Sequence, residues 1–319
     1  MRKLVITLVT VALFLGVLGI VKFSFILKPS KSNEIEYEEE NRNQKFQKVS
    51  SVPMPSQISF AGEKVPMENF DIRERLEREL VVNVFWHSST YINIKKANRY
   101  LPHISQILKE EGLPDDLKYI PLIESGLTNA ISPSKAVGFW QFLSGTAKEY
   151  GLEINNEVDE RYHWKKSTIA ACKFFKWLNN RFDSWTLSTA AYNCGRTTVI
   201  RQMDQQKQSD YYSLLFSEET ERYVFRAIAF KLILNNPERY GFYLEYDQLY
   251  PAISTKEIVV NETISNLADW AKERGLTYRE LKYFNPWLRA NTLTISKNKE
   301  YIIEIPTKKY QTRFTHLIQ

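Results

Sequence analysis

The sequence predicts a mainly α-helical protein with a small α+β portion near its C-terminal end and a membrane-spanning helix at its N-terminus. Three observations support this: helical apolar spacing between residues 70 and 245, two short β-branched runs that flank two helical segments after residue 255, and an apolar run through the first 27 residues. A chain of 319 residues suffices for one medium domain with additions, or for two domains. Its composition, 43% hydrophobic and 25% charged, is ordinary for a folded protein and excludes disorder throughout.

The N-terminal segment is long enough to cross a membrane. Apolar residues run from Leu4 to Val21 and continue to Leu27, whereas a span needs about 20 residues. A cleaved signal peptide usually has an apolar core of about 7–15 residues and a small-x-small cleavage site, and neither is clear here. We therefore favour an uncleaved anchor over residues 1–28, with a cleaved signal segment as the alternative. Basic residues on both sides of the run leave its orientation open.

A polar segment over residues 29–68 precedes the helical region. It carries five glutamates between positions 34 and 40 and three prolines between positions 53 and 66, without periodicity, and is predicted to be a tether. Helical spacing then begins at Asp71 and defines a predicted domain over residues 69–245. Further helices are predicted up to Gly112, from Pro114 to Gly126, and over residues 167–182, 185–194 and 218–234.

The helix before Gly126 places a carboxylate where an apolar residue is expected. Leu117 and Ile120 lie on its apolar stripe, and the next step of four reaches Glu124. Burial disfavours the charged form, so a carboxyl group there would have a raised pKa and could donate a proton near neutral pH. The alternative is that Pro121 bends the helix and Glu124 ends it in solvent or pairs with a lysine.

Three further segments combine polar side chains with aromatic or small neighbours: GFWQ at 138–141, AYNCG at 191–195 and ETERYV at 219–224. Each one alone is typical of a core turn or a helix end. Together with IESG at 123–126, in this order and spacing over about 130 residues, they resemble the lytic transglycosylase family, whose catalytic domain has a goose-lysozyme-like fold. The resemblance therefore implies an all-helical, lysozyme-like catalytic domain.

The resemblance also implies a role for individual residues. It implies one catalytic residue, Glu124, and five that bind substrate or lie beside the acid: Ser125, Gln141, Tyr192, Asn193 and Tyr223. The implied reaction cleaves the β-1,4 bond between N-acetylmuramic acid and N-acetylglucosamine in peptidoglycan. One glutamate protonates the departing oxygen and then, as a carboxylate, takes the proton of the C6 hydroxyl, so that a 1,6-anhydro sugar forms without water.

Two other functions stay open at this point. A muramidase would use Glu124 with water and would need a second carboxylate, about 5 Å away for retention or about 6.5–9.5 Å away for inversion. Glu149, Asp159 and Glu160 are acids that folding could bring near Glu124. The third possibility is a peptidoglycan-binding protein whose acid is not active.

The C-terminal part has the order strand, helix, helix, strand over residues 256–306, with a tail over 307–319. Thr263 and Ser265 are predicted to cap the first of these helices and Thr277 the second. The arrangement loosely resembles a LysM module, a small fold that binds chains containing N-acetylglucosamine, although Asn261-Glu262-Thr263 stands where Gly-Asp-Thr is usual. Sugar binding and a packing role both remain open.

Several other classes of function find no support in the sequence. A net charge of +6 without a dense basic cluster does not indicate nucleic-acid binding, and the expected partners are peptidoglycan glycan strands and, through the N-terminal helix, a membrane. The spacing of the four histidines is not that of metal ligands, and we expect no metal and no cofactor. Cys172 and Cys194 are expected to be free thiols, with one disulfide as the alternative. The expected location is the cell envelope: a single-pass inner-membrane protein with its body in the periplasm, or a periplasmic or secreted protein if the N-terminus is cleaved.

Overall fold

The computed structural model describes residues 49–307, and over this range the protein is mainly helical with a small C-terminal sheet, as predicted. The helices are α1 (Phe70–Phe85), α2 (His87–Glu110), α3 (Ile120–Ser125), α4 (Ser144–Glu149), α5 (Trp164–Phe182), α6 (Trp185–Cys194), α7 (Arg196–Gln206), α8 (Glu218–Asn235), α9 (Leu267–Glu273) and α10 (Tyr278–Phe284). Short 3₁₀ helices span Asp115–Tyr119, Glu160–Tyr162, Tyr211–Ser213, Glu238–Tyr240 and Tyr246–Gln248.

Two antiparallel strand pairs accompany the helices. Strands β1 (Ser59–Phe60) and β2 (Glu63–Lys64) form a short hairpin before α1. Strands β3 (Thr255–Val260) and β4 (Tyr301–Pro306) enclose α9 and α10 in sequence, in the predicted order of strand, helix, helix and strand. Only isolated bridges occur between residues 70 and 245, so the described helical region contains no extended strand.

The helical core is built around α8. This helix buries residues on most of its circumference, including Val224, Phe225 and Ile228, and it packs against α1 and α6. Helix α6 also packs against α5, whose Phe175 is fully buried. Helix α3, which carries Glu124, packs against α8, and the turn over residues 135–142, called the aromatic turn below, bonds to side chains of α5 and α6.

The helix predicted from Pro114 to Gly126 is instead two pieces. A 3₁₀ helix, Asp115–Tyr119, is followed by α3, and Pro121 lies in the first turn of α3. Proline has no N–H to donate to the preceding turn, so it is tolerated at a helix start and breaks a helix that would run through it. Leu117 and Ile120 are fully buried, and Gly126 ends α3 in the left-handed region with a φ of 58°.

Two helices escaped the sequence prediction because they bury little. The buried residue of α4 is Ala147 and that of α7 is Val199, so neither segment shows an apolar stripe. The first C-terminal helix is capped by Asn266, whose side chain accepts the N–H groups of Ala268 and Asp269, and not by Thr263 or Ser265 as predicted. Thr277 caps α10 as predicted, in a reciprocal capping box with the residue three positions on.

The tether predicted over residues 29–68 is wrong for its last part. Val52, Phe60 and Val65 are buried in the helical core. The side chain of Glu63 accepts the backbone N–H of Thr186 at 3.0 Å and so caps the N-terminus of α6. Short apolar runs between polar residues lack a helical or strand period, which is why this packing could not be read from the pattern.

Some predictions fall on residues that the structure does not describe. The anchor over 1–28, the first part of the tether and the tail after Thr307 lie outside the described residues. Within residues 49–307, no helix has both the length and the hydropathy needed to span a membrane. Cys172 and Cys194 are free thiols, as predicted, and do not form the alternative disulfide.

Candidate active site

Glu124 lies in the last turn of α3 and is partly buried. Its Oε1 accepts a short hydrogen bond from the hydroxyl of Tyr223, a residue of α8 that is 99 positions further along the chain. Tyr223 is only 1% exposed. The predicted acid therefore faces the central helix and is not at a solvated helix end.

Burial is the main cause of a raised pKa at Glu124. The Tyr223 hydrogen bond and the positive charge of Arg226 oppose this increase, whereas the negative charge of Glu219 adds to it. The pKa of Tyr223 is also well above its ordinary value, because the phenol is buried and faces this carboxylate. The phenol thus remains a hydrogen-bond donor wherever Glu124 titrates.

Two cations hold the C-terminal end of α3 in place. Arg226 donates from Nη2 to the carbonyl of Ile123 at 2.8 Å, and Lys96 donates from Nζ to the carbonyl of Gly126 at 2.9 Å. Both line a cleft of about 480 Å³ that flanks α3. Cations at a helix C-terminus stabilise its unpaired carbonyls, so these side chains fix the backbone on both sides of Glu124. Neither was singled out from the sequence, because a basic residue on a helix ordinarily faces solvent.

The aromatic turn after α3 depends on a glycine. Gly138 has a φ of 82°, and a Cβ at this position would lie 2.0 Å from the carbonyl oxygen of Arg161. Trp140, two residues later, is fully buried and donates from Nε1 to the hydroxyl of Thr168 at 2.9 Å. Glycine is therefore required here both by the backbone conformation and by close packing.

Ser125 connects α3 to this turn. Its hydroxyl donates toward the carbonyls of Pro121 at 2.9 Å and Phe139 at 3.0 Å. The amide nitrogen of Gln141 donates to the carbonyls of Ala130 at 3.1 Å and Gly138 at 2.7 Å. Both side chains bond main-chain carbonyls, and the substrate contacts that the resemblance implies for them stay predictions.

Tyr192 lies among aromatic rings beside the acid. Its ring stacks on Phe175 with a centroid separation of 4.7 Å, and its hydroxyl donates to the carbonyl of Trp140 at 2.7 Å. Burial raises its pKa, and the charge of Glu124 raises it further. The phenol is therefore near the acid, but its hydrogen bond goes to the aromatic turn.

Asn193 faces the start of α8. Its Nδ2 donates to Oε1 of Glu219 at 3.3 Å, and its Oδ1 accepts the hydroxyl of Thr220 at 2.8 Å. Glu219 is exposed, and its charge acts on Glu124. Sequence reasoning missed Glu219 as a site residue, since an acidic residue in the first turn of a helix is ordinary.

The other acids considered from the sequence are engaged elsewhere or exposed. Asp159 pairs with Arg161 at 2.7 Å, and Glu160 forms a short contact with Lys166. Glu149 is exposed at the end of α4. Within residues 49–307, no three His, Cys, Asp or Glu side chains are grouped so that they could hold a metal ion.

Comparison with known proteins identifies two regions of the chain. Residues 102–215 match the transglycosylase SLT domain, and residues 256–309 match the soluble lytic transglycosylase C-terminal LysM-like domain. The SLT match includes Glu124 and four of the five other predicted site residues, whereas Tyr223 lies beyond it.

Individual known proteins are also similar to this chain. Membrane-bound lytic murein transglycosylase D of Escherichia coli strain K12 is 30% identical over 259 residues, which cover 78% of this chain and 55% of that protein. The protein of the same name from Escherichia coli O6:H1 strain CFT073 gives the same values. The chain thus spans about half the length of these curated relatives. A solved structure of an inactive mutant of lytic transglycosylase Slt from Pseudomonas aeruginosa shares 16% identity, with a TM-score of 0.38 over 56% of this chain and 33% of that one.

Proposed function

We propose that this protein is a peptidoglycan lytic transglycosylase, with Glu124 acting first as acid and then as base. The SLT domain and the lytic transglycosylase relatives support the reaction class. The observation that carries the assignment of the residue is the desolvated carboxyl group of Glu124, with its raised pKa and its hydrogen bond from Tyr223. The bond cleaved is the β-1,4 linkage from N-acetylmuramic acid to N-acetylglucosamine, and the product is a 1,6-anhydro sugar.

The two steps place opposite demands on the same carboxyl group. In the first step protonated Glu124 donates to the departing glycosidic oxygen as its bond to the anomeric carbon breaks, and the sugar's own acetamido group stabilises the cation that results. Burial favours this step because it keeps the proton on the acid beforehand. In the second step the carboxylate takes the proton of the C6 hydroxyl while the C6 oxygen bonds to the anomeric carbon. The Tyr223 hydroxyl and the Arg226 charge stabilise the carboxylate between the two steps. Stabilisation of the carboxylate thus helps Glu124 give up its proton in the first step, and the pKa raised by burial helps it take the C6 proton in the second.

The remaining predicted site residues fall into two groups under this proposal. Asn193 is partly exposed beside Glu219, so we assign it a direct contact with the sugar, whereas Tyr223 is 1% exposed and acts through its hydrogen bond to Glu124. Ser125, Gln141 and Tyr192 donate to main-chain carbonyls of the aromatic turn, so we assign them the role of holding this turn in place beside the sugar.

Product mass tests the proposed reaction. The purified protein is incubated with peptidoglycan sacculi, and released fragments are weighed; the lytic route leaves anhydro ends that are lighter by one water than hydrolytic ends. Glu124→Gln should abolish release while leaving sacculus binding intact, and Glu149→Gln, which changes an exposed glutamate, is the matched control. Turnover by the Glu124→Gln protein would contradict the assignment, and a wild-type protein that binds but releases nothing would indicate a non-catalytic binding protein.

Hydrolysis is a second candidate because of one observation. Glu219 is a second carboxylate whose charge reaches Glu124, and a hydrolytic muramidase needs such a group to activate water or to form a covalent intermediate. Under the lytic proposal Glu219→Gln should keep the anhydro product. Reducing ends in the wild-type product, lost in the Glu219→Gln protein, would favour hydrolysis.

The proposed location is the cell envelope, with the body in the periplasm and residues 1–28 as the anchor. The relatives that match most of this chain carry "membrane-bound" in their names, which supports the location. Alkaline phosphatase fused after Leu27 should be active, and inactive fusions would contradict the topology. A shortened N-terminus in the mature protein would show that the segment is cleaved and that the protein is periplasmic or secreted.

A further inference from the structure

Three residues of the helical body (residues 69–245) lie in the hydrophobic core of the C-terminal module (residues 256–306). Val137, Val158 and Tyr162 of the body belong to the same buried cluster as Trp287 and Leu288 of the module, and Leu288 is 1% exposed. The module's core is therefore incomplete without the body, because removing these three side chains would expose the buried faces of Trp287 and Leu288.

Backbone hydrogen bonds join residues 157–159 of the body to residues 287–289 of the module, a contact called the seam below. Val158 and Leu288 form an antiparallel bridge, and the N–H of Asp159 donates to the carbonyl of Trp287 at 2.9 Å. The N–H of Arg289 donates to the carbonyl of Glu157 at 2.7 Å. The segment from 157 to 162 therefore takes its conformation from the module as well as from the body.

The side chain of Arg161 connects the 157–162 segment to the aromatic turn. Its guanidinium bonds both carboxylate oxygens of Asp159, at 3.0 Å from Nε to Oδ1 and 2.7 Å from Nη2 to Oδ2. Its Nη1 donates to the carbonyls of Lys135 and Phe142, each at 3.2 Å, at the two ends of the turn. Arg161 is 9% exposed and Asp159 7%, so the ion pair is shielded from solvent.

The turn needs such support because its backbone is strained. Lys135 has a φ of 62° and Gln141 a φ of 49°, both in the left-handed region that non-glycine residues avoid. Such residues persist only where the surroundings determine their conformation. The carbonyls of Phe139 and Trp140, which lie between them, accept the hydroxyls of Ser125 and Tyr192.

We propose that Arg161 is a positioning residue for the Glu124 site, and that the C-terminal module is part of the catalytic unit because it holds the 157–162 segment on which Arg161 lies. The inference rests on the proposed transglycosylase function. It assigns the module a mechanical role in placing the aromatic turn beside α3, separate from any binding of sugar by the module.

The first test separates positioning from folding. Arg161→Lys keeps a cation beside Asp159 but presents one nitrogen, so it cannot bond both carboxylate oxygens and both carbonyls. We expect kcat per folded molecule to fall by about 10- to 100-fold, as small misplacements of catalytic groups do, with KM for soluble glycan fragments changed by less than about twofold. Arg274→Lys is the control, because Arg274 stacks on Trp270 and bonds its carbonyl outside this network.

The second test addresses the module with two equal truncations in its core. Leu288→Ala removes a buried side chain at the seam, and Leu267→Ala removes one of the same size, also fully buried, at the start of α9. At a temperature where both full-length variants are folded, Leu288→Ala should lower kcat at least about fivefold more than Leu267→Ala. Equal kcat values in this pair, or an unchanged kcat in Arg161→Lys, would overturn the inference. A wild-type protein without anhydro products would instead overturn the proposed function, so the two failures are distinguishable.

Discussion

Replacing Tyr223 with phenylalanine tests how the structure sets the acidity of Glu124. The substitution removes the hydroxyl that donates to Glu124 Oε1 and keeps the buried ring. Because this hydrogen bond lowers the pKa of the carboxyl group, its loss should raise a pKa that burial has already raised.

The size of the change follows from the difference between two hydrogen bonds. A bond to a charged acceptor contributes about 1.5–3 kcal/mol and a neutral one about 0.5–1.5 kcal/mol, so the phenol favours the carboxylate over the acid by about 1–1.5 kcal/mol. One pKa unit corresponds to about 1.4 kcal/mol, which predicts an upward shift of about one unit in Tyr223→Phe.

The assay is the pH dependence of kcat for release of anhydro fragments. Protonated Glu124 is needed in the first step, so activity falls as pH rises through its pKa, and this alkaline limb should move up by about one pH unit in Tyr223→Phe. Tyr211→Phe is the control, because Tyr211 is equally buried but donates to the carbonyls of Thr220 and Glu221. An alkaline limb that stays in place or moves down would refute the reasoning.

Three further predictions concern stability. The pKa of Glu124 is higher in the folded than in the unfolded protein, so stability falls as the pH rises above the unfolded pKa. Glu124→Gln should therefore raise the melting temperature near neutral pH and have little effect at pH values below the unfolded pKa. A melting-temperature difference between variant and wild type that is the same at both pH values would contradict this. Gly138→Ala should lower the free energy of unfolding in urea by about 3 kcal/mol or more, because its Cβ would lie 2.0 Å from a carbonyl oxygen. The control Gly145→Ala in α4, where a Cβ would meet no atom within 4 Å, should leave this free energy unchanged or raise it by about 0.5–1 kcal/mol. Phe60→Ala should cost about 3–5 kcal/mol because the ring is fully buried, whereas Val49→Ala, at a position 72% exposed, should cost less than about 0.5 kcal/mol; a neutral Phe60→Ala would contradict the packing of residues 52–67.

Local spacing marked Glu124 as a candidate, and the family resemblance gave it the predicted role of the acid. Ile120 is three positions after Leu117, and Glu124 is four positions after Ile120. Both apolar residues are buried as the spacing predicts, although α3 begins only at Ile120. Its hydrogen-bond partner Tyr223 was recognised only through the family resemblance, since the two residues are 99 positions apart. Glu219 stood in the segment 219–224 without a role and Arg226 lay outside it, since their influence on Glu124 depends on where α8 lies.

The polar residues near the acid show the limit of residue type as a guide. Ser125 and Gln141 were predicted to bind substrate, but their side chains donate to main-chain carbonyls of the aromatic turn. A hydroxyl or an amide can bond backbone as well as ligand, and only the positions of neighbouring carbonyls decide between the two. The substrate contacts of these residues remain predictions.

The sequence by itself determined the helical class of residues 70–245, the strand-helix-helix-strand order of the module and the position of Glu124 in line with Leu117 and Ile120, because each depends on the short-range spacing of apolar residues, caps and helix breakers. Tertiary structure alone decided that Val52, Phe60 and Val65 belong to the helical core, that three residues of the body complete the module's hydrophobic cluster, and that burial, together with Tyr223, Arg226 and Glu219, acts on the pKa of Glu124. These relations join residues far apart in the chain, and such contacts form only when buried surfaces and unpaired polar groups find partners in three dimensions.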